Sequence, residues 1–301
     1  MIYEHPLAYL IGVEGMALLR SFTGEFDRDF VDARIAEVRR LLDDEVLADA
    51  AVEVARVDTT EGYRIWSATY DGPNGLFDID EPVVGRILDE IPVGVALDAA
   101  CGTGRVAASL VKRGHQVLGV DGSPDMLIRA RARVPEGEFL LGDLHRLPVP
   151  DDAVDLVVCS LALTHVPSLE PVLAEFARVL RPGGHVLISD MHPEGVARGF
   201  VPTLRRADGK PGRITSYHHS IGDYLRAGLS AGLQVRRCEE PRVPKTGDTR
   251  PVETPSTSEA IEVWDVWPWC LTELVPEAAL AAGGDVPAMV IWLFQSPPLD
   301  H

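Results

Sequence analysis

The residues best placed to do chemistry follow an apolar strand. Val95-Ala96-Leu97 runs into Asp98-Ala99-Ala100-Cys101-Gly102-Thr103-Gly104, and a second apolar stretch, Val117-Leu118-Gly119-Val120, ends on another acid, Asp121. A glycine-rich turn at the start of a helix offers unpaired backbone N–H groups to a ligand. An acid at the end of the next strand sits where a ribose hydroxyl needs an acceptor. The pair points to a nucleotide-like cofactor. A nicotinamide site reads G-x-G-x-x-G, because a pyrophosphate must lie against bare backbone. Here a carboxylate precedes the glycines; it would repel a pyrophosphate and suits a cofactor that carries a cationic amino group.

These residues need elements to hold them. From Val93 onward strands and helices alternate: a strand ending at Asp98, a helix from about Arg105 to Arg113 stopped by Gly114, and a strand over Gln116 to Val120. Ser123-Pro124 then starts a helix through Met126 and Arg133. Strands follow at about Glu138 to Leu141 and at Val154 to Cys159, whose unbroken apolar run suits burial on both faces. A helix from Ser168 to Leu180 leads through Arg181-Pro182-Gly183-Gly184 into a strand over His185 to Ser189. This alternation builds a doubly wound, mostly parallel sheet, whose ligands lie beyond the carboxyl ends of the strands.

The flanks read differently. The first 60 residues are expected to form a separate helical element, with Leu7, Leu10, Ile11, Met16, Leu18 and Leu19 on one helix and Phe30, Ile35, Val38, Leu41 and Leu42 on a second. Pro82 is expected to open a helix over Val83 to Glu90. Residues 195 to 216 read as an inserted loop or hairpin, Ile221 to Ala231 as a helix, Leu233 to Cys238 as a sixth strand and Ala288 to Phe294 as the last. Residues 241 to 259 read as a linker, with tryptophans clustered at 264, 267 and 269.

Composition bounds the partners. The 301 residues are 46% hydrophobic, enough for a full core, and the formal net charge of −18 repels phosphate backbones and anionic lipid. Nucleic acid and membrane are therefore not expected as partners. The four cysteines show no C-x-x-C spacing, so neither zinc nor a disulfide framework is expected, and no carboxylate cluster suggests a catalytic metal. No signal peptide or spanning segment is read, so a cytoplasmic location is expected.

The Asp98-to-Gly104 turn resembles motif I of the class I S-adenosylmethionine (SAM) dependent methyltransferases, with Ala100 in place of the usual first glycine. Val117 to Pro124 resembles the family's ribose-binding segment, Gly142-Asp143-Leu144 its adenine-binding acid, and Leu180 to Ile188 the segment that follows in many small-molecule methyltransferases. The likeness covers about residues 70 to 192. It implies a Rossmann-like, seven-stranded, mostly parallel sheet with helices on both faces, plus an N-terminal helical extension and lid insertions. Residues 1–75 would be the extension or lid and 76–301 the methyltransferase domain, its cofactor half about 76–192 and its substrate and lid elements about 193–285. SAM would be the cofactor and S-adenosylhomocysteine the product.

The implied cofactor-binding residues are Tyr70, Asp98, Ala99, Ala100, Gly102, Gly104, Asp121, Gly122, Ser123, Met126, Gly142, Asp143, Leu144, Ser160 and His165. Asp121 would take both ribose hydroxyls, Asp143 would accept from the adenine amino group, and Met126 and Leu144 would face the ring. Asp98 would hold the turn or receive the methionine amino group through water. A tyrosine at a Tyr-Asp step closes over the cofactor in related enzymes, which singles out Tyr70; helical packing of Trp66 with Tyr70 explains their spacing equally well.

Methyl transfer from a sulfonium is an in-line displacement, so the protein must position a nucleophile and exclude water. A hydroxyl, phenol or carbon acceptor also needs a base, and histidine fits best. The candidates are His192, favoured because it directly follows a strand end in Asp190-Met191-His192-Pro193, then His165, for which the resemblance favours a structural role, and His219 and His218, which precede the Ser220 helix cap and of which one is open to a capping or packing role. Trp66, Tyr70, His192 and His218 are candidates for substrate contact. There is no N/D-P-P-Y segment after the fourth strand but Ser160-Leu161-Ala162-Leu163, which disfavours adenine and glutamine targets.

The leading expectation is methyl transfer to an O, C or N atom of a small molecule, perhaps in secondary metabolism. The rivals are a SAM-fold enzyme performing a cyclisation or decarboxylation, and a non-catalytic SAM-binding protein. The N-terminal helices leave a homodimer open.

Overall fold

The computed structural model describes residues 1–298 except 68, 73, 207 and 243–268, and the side chains of residues 269 and 270 also lie outside that description. The chain begins with β1 (Ile2–Glu4), α1 (Pro6–Arg20), α2 (Arg28–Leu42), α3 (Glu45–Ala48) and β2 (Val52–Val57). It continues through α4 (Thr59–Trp66), α5 (Gly75–Leu88), β3 (Val95–Ala99), α6 (Arg105–Lys112), β4 (Gln116–Asp121), α7 (Pro124–Arg133) and β5 (Glu138–Leu141). Then come β6 (Val154–Ser160), α8 (Glu170–Val179), β7 (Leu180–Met191), α9 (Pro193–Ala197), β8 (Thr203–Arg205) and β9 (Pro211–Ile214). The chain closes with α10 (Ile221–Ser230), β10 (Gln234–Glu239), α11 (Pro276–Gly283) and β11 (Met289–Gln295).

Two compact units result. One gathers Met1–Val57, Phe200–Ile214 and Val243–Val286; the other holds Asp58–Gly199, Thr215–Arg242 and Pro287–His301. The second is built on a seven-stranded sheet of order β10-β11-β7-β6-β3-β4-β5, parallel from β7 to β5, with β11 antiparallel to both of its neighbours. Alternate residues of the central strands feed two cores. Leu97, Val157, Cys159 and Ile188 join α8 and α10 on one face, while Ala96, Leu156, Val158 and Leu187 join α5, α6 and α7 on the other. The chain winds outward from β3 through β4 to β5 and then returns to β6 and β7, so the switch point lies between the carboxyl ends of β3 and β6. That is where the site forms.

The first unit corrects the expectation of a purely helical N-terminus. β1 and β2 belong to a four-stranded sheet of order β1-β2-β9-β8, in which β2 pairs in parallel with β9 through Ala55 opposite Gly212. That pairing spans about half of the sequence, so no local pattern announces it. β8 and β9 pair antiparallel, as the hairpin expected within 195 to 216 requires. Leu10, Val13, Leu41, Val54, Val275 and Ala278 make this unit's own core.

The helix expected to open at Pro82 starts earlier. α5 is capped by Asn74, whose Oδ1 accepts from Leu76 N–H at 3.0 Å, and carries Pro82 in its interior. An internal proline costs a helix about 3 kcal/mol. Burial of Phe77, Val84, Ile87 and Leu88 along one face offsets it. β7 likewise begins at Leu180 rather than His185, with a register shift against β6 that absorbs Arg181 to Gly184. Residues 243–259 of the expected linker, with Trp264 and Trp267, lie outside the described residues. No described helix is long and apolar enough to cross a membrane.

Candidate active site at the carboxyl ends of the parallel strands

After β3 the backbone turns by left-handed steps: Ala100 at φ 59°, Gly102 at 52° and Gly104 at 80°. At Ala100 this conformation costs about 1–2 kcal/mol, the kind of strain that gathers where ligands bind. The two glycines serve different ends. A Cβ on Gly104, the N-cap of α6, would lie 3.1 Å from the Ala130 Cα, so glycine there allows α6 and α7 to approach. A Cβ on Gly102 would meet nothing nearer than Tyr70 Cε1 at 3.9 Å. Its bare face is thus open beside the Tyr70 ring.

Acids stand around this turn. Asp121 Oδ2 accepts from Gly102 N–H and Oδ1 from Ser123 N–H, both at 2.8 Å. Burial raises its pKa against those two bonds. A carboxylate offers about four acceptor directions, so two stay available for a ribose diol. Asp98 is buried and accepts from Ala107 N–H in α6 at 2.8 Å; burial pushes it up to about 7 despite that bond. Of the two roles expected for Asp98, holding the turn is the one its contacts serve. Asp143 is exposed, held low by the N–H and ring of His145 at 2.8 and 2.7 Å, and Gly142 N–H donates to the Asp121 carbonyl, so the ends of β4 and β5 adjoin.

Leu144 is half-buried, Ala99 and Met126 are fully buried, and Gly122 is exposed. Met126 therefore presents no free surface to a ring in this form.

Sequence reasoning missed a buried network on the same side of the turn. Asp80 Oδ2 receives Arg105 Nη2 at 2.8 Å and Ser160 Oγ at 2.9 Å, and Arg105 also reaches Ser160 Oγ at 3.0 Å and lies 4.3 Å over the Phe77 ring. This ties α5, α6 and the end of β6 together, where Leu161 again takes a left-handed φ of 55°. Asp71 accepts from Thr103 Oγ1 and pairs with Arg133, both at 2.7 Å, so the Tyr70-Asp71 step is fastened to the glycine turn.

The aromatic side of the site holds the second omission, Tyr63. Its ring meets Trp66 at 5.6 Å, Tyr70 at 5.9 Å and, edge to face, His165 at 5.4 Å. Burial pushes the Tyr63 phenol well up and that of Tyr70 to about 12, so both stay protonated. His165 Nδ1 lies 2.9 Å from the Thr215 carbonyl, which can only accept, so Nδ1 carries the proton. Nε2 is then the lone-pair nitrogen and makes no hydrogen bond to a described residue. Burial lowers the pKa of His165 against the Thr215 bond, leaving it neutral at neutral pH. Ring contacts thus run from Tyr70 through Tyr63 to His165, and Asp121 bonds the Gly102 N–H.

The other histidines are differently engaged. His192 is buried as the N-cap of α9: Nδ1 accepts from Glu194 N–H at 3.2 Å, so Nε2 carries the proton and donates to Glu240 at 2.9 Å. Both ring nitrogens are taken. His219 is buried with Nε2 on the Val166 carbonyl at 2.8 Å, while His218 is exposed. Trp66 is half-buried among Tyr63 and Tyr70.

Asp190 was passed over although it ends the apolar run of β7. Its Oδ2 accepts from Thr164 N–H and its Oδ1 from Met191 N–H, both at 2.7 Å, and full burial raises it to about 7. One buried carboxylate therefore links the turn carrying His165 to the turn carrying His192.

Comparison with known proteins agrees with this fold. Residues 97–188 match the family described as a methyltransferase domain. The chain is 37% identical over 126 residues to a malonyl-acyl-carrier-protein O-methyltransferase of Serratia marcescens, covering 42% of this chain and 49% of that one. It thus spans about half the length of that relative. It is 30% identical over 185 residues to a demethylmenaquinone methyltransferase of Streptomyces griseus, covering 56% of this chain and 80% of that one. The fold matches a solved DhpI complex with S-adenosylhomocysteine at a TM-score of 0.52 and 20% identity, over 80% of this chain and 97% of that one. A strand-end carboxylate with two free acceptor directions, beside an open glycine turn and an aromatic wall, suits a ribose and a sulfonium. The chain belongs to the S-adenosylmethionine-dependent methyltransferase family, and S-adenosylmethionine is its cofactor.

Proposed function

We propose that this protein transfers the SAM methyl group to an oxygen, carbon or nitrogen of a small-molecule acceptor, with His165 as the general base. The observation that carries the reading is the state of His165: Nδ1–H is fixed on the Thr215 carbonyl, Nε2 makes no hydrogen bond to a described residue, and the ring stands edge to face with Tyr63. A base must reach the acceptor's proton, and of the four candidate histidines His192 has both nitrogens committed. Tyr70 would cover the cofactor and Asp121 would hold its ribose. The net charge of −18 supports a small acceptor over nucleic acid. The two relatives are named for different acceptors, so the family does not fix this one.

The test is incubation with methyl-labelled SAM and a metabolite extract. Transfer of label with release of S-adenosylhomocysteine is expected, and its loss in His165→Ala but not in His192→Ala. Product without S-adenosylhomocysteine would favour a cyclisation or decarboxylation, and binding without turnover a non-catalytic role.

A further inference from the structure

We propose that Asp80 Oδ1, with Ser189 Oγ beside it, receives the ammonium group of the methionyl part of S-adenosylmethionine. The assignment does not depend on which histidine is the base.

Place comes first. Ligands of an open α/β sheet lie where the strand order reverses, here between the carboxyl ends of β3 and β6. Asp80 reaches both from α5: its Oδ2 takes Arg105, the first residue of α6 after the β3 turn, and Ser160 Oγ, on the last residue of β6. The second observation is what these bonds leave over. Asp80 is fully buried, yet Oδ1 meets no donor among the described residues, and the buried Ser189 Oγ makes no hydrogen bond there either. Ser189 stands opposite Ser160 in the β6–β7 register, on a strand about 4.8 Å away, and two residues beyond Leu187, which places it on the α5 face of the sheet. A buried carboxylate oxygen and a buried hydroxyl are both costly to leave unbonded, and one donor group set between them relieves both.

Charge decides the kind of donor. Arg105 is the cation of this network, and it pairs with two acids, Asp80 at 2.8 Å and Glu81 at 3.3 Å. One negative charge is left over beside the glycine turn. Tyr70, whose Cε1 lies next to Gly102, reports the same field. Burial pushes its phenol up to about 12, and of the charges acting most strongly on it, Asp121, Asp80 and Asp71 raise it while Arg105 lowers it. Asp98, the acid expected for this role, holds Ala107 N–H and is pushed by burial up to about 7, so it is part-protonated at neutral pH. An excess negative charge out of water calls for a cation. An ammonium, with three donors and no acceptor, suits two acceptor atoms better than a guanidinium fork already engaged.

The test compares S-adenosylhomocysteine with its des-amino analogue, the adenosyl thiobutanoate, which keeps the carboxylate and lacks only the ammonium. Both are titrated by calorimetry into the full-length wild type and into Asp80→Asn at neutral pH. The wild type is expected to bind S-adenosylhomocysteine roughly tenfold or more tightly than the analogue, and Asp80→Asn to bring that ratio within about threefold of unity with the analogue bound no more weakly. A ratio near one in the wild type overturns the proposal. So does a ratio in Asp80→Asn equal to that of the wild type, even if both ligands bind more weakly, because a merely structural loss weakens both alike. Where Asp80→Asn does not yield folded protein, Ser189→Ala takes its place, since it costs the fold no hydrogen bond. There the ratio is expected to fall about threefold, and an unchanged ratio overturns the assignment.

Discussion

The turns after β6 and β7 are neighbours, each carries a histidine just past a strand end, and one buried acid holds both. They nevertheless put those histidines in opposite states. After β6, His165 spends one nitrogen on a carbonyl from residue 215 and keeps the other; after β7, His192 caps a helix with one nitrogen and grips Glu240 with the other. On the proposed reading, position at a strand end does not separate the two; what separates them is how many of the ring's two nitrogens the fold has already used.

The largest expected effect comes from removing what the two turns share. Asp190→Ala orphans the buried Thr164 and Met191 N–H groups, each worth about 1–3 kcal/mol, so a loss of about 3 kcal/mol or more is expected in chemical denaturation. Stability unchanged within about 1 kcal/mol would mean that the turns do not depend on it. Next, His165→Gln is expected to lower kcat at saturating SAM roughly a hundredfold, about 2.7 kcal/mol, with little change in SAM affinity.

A pH effect of intermediate size follows from Asp190 itself. Its folded pKa of about 7 lies above the ordinary 3.8, so its contribution is fully present below pH 3.8 and is lost as pH rises through 7. Stability measured across that window should fall less steeply in Asp190→Asn than in the wild type, by up to about 1.4 kcal/mol per pH unit. Identical slopes would show that Asp190 does not take up a proton on folding. The smallest effect is expected of His192→Ala: about 1 kcal/mol of stability from the lost cap, with kcat within about threefold of wild type. A hundredfold fall in kcat there would reverse the assignment of the two histidines.

The same contrast explains what was legible in the sequence. The glycine turn, Asp121 and the strands from β3 to β7 announce themselves because their signals are local: apolar runs, left-handed glycines, a Ser-Pro helix start. The meaning of each histidine is not local. His165 depends on Thr215 and on Tyr63 from α4, and His192 on Glu240, none of them near in sequence. The pairing of β2 with β9 was hidden for the same reason, and Pro82 misled because buried neighbours on α5 outweigh its local preference. Asp190 could have been noticed, since an acid ending the apolar run of β7 must be neutralised or well bonded.

The central claim is that the two imidazoles hold opposite tautomers, and the nitrogen-15 shifts of the histidine rings report it without any acceptor. The account predicts His165 protonated at Nδ1, with Nε2 as the lone-pair nitrogen and titration below 6.5, while His192 is protonated at Nε2 with its lone pair on Nδ1. Finding His165 protonated at Nε2, or His192 with Nε2 as the lone-pair nitrogen, would contradict it.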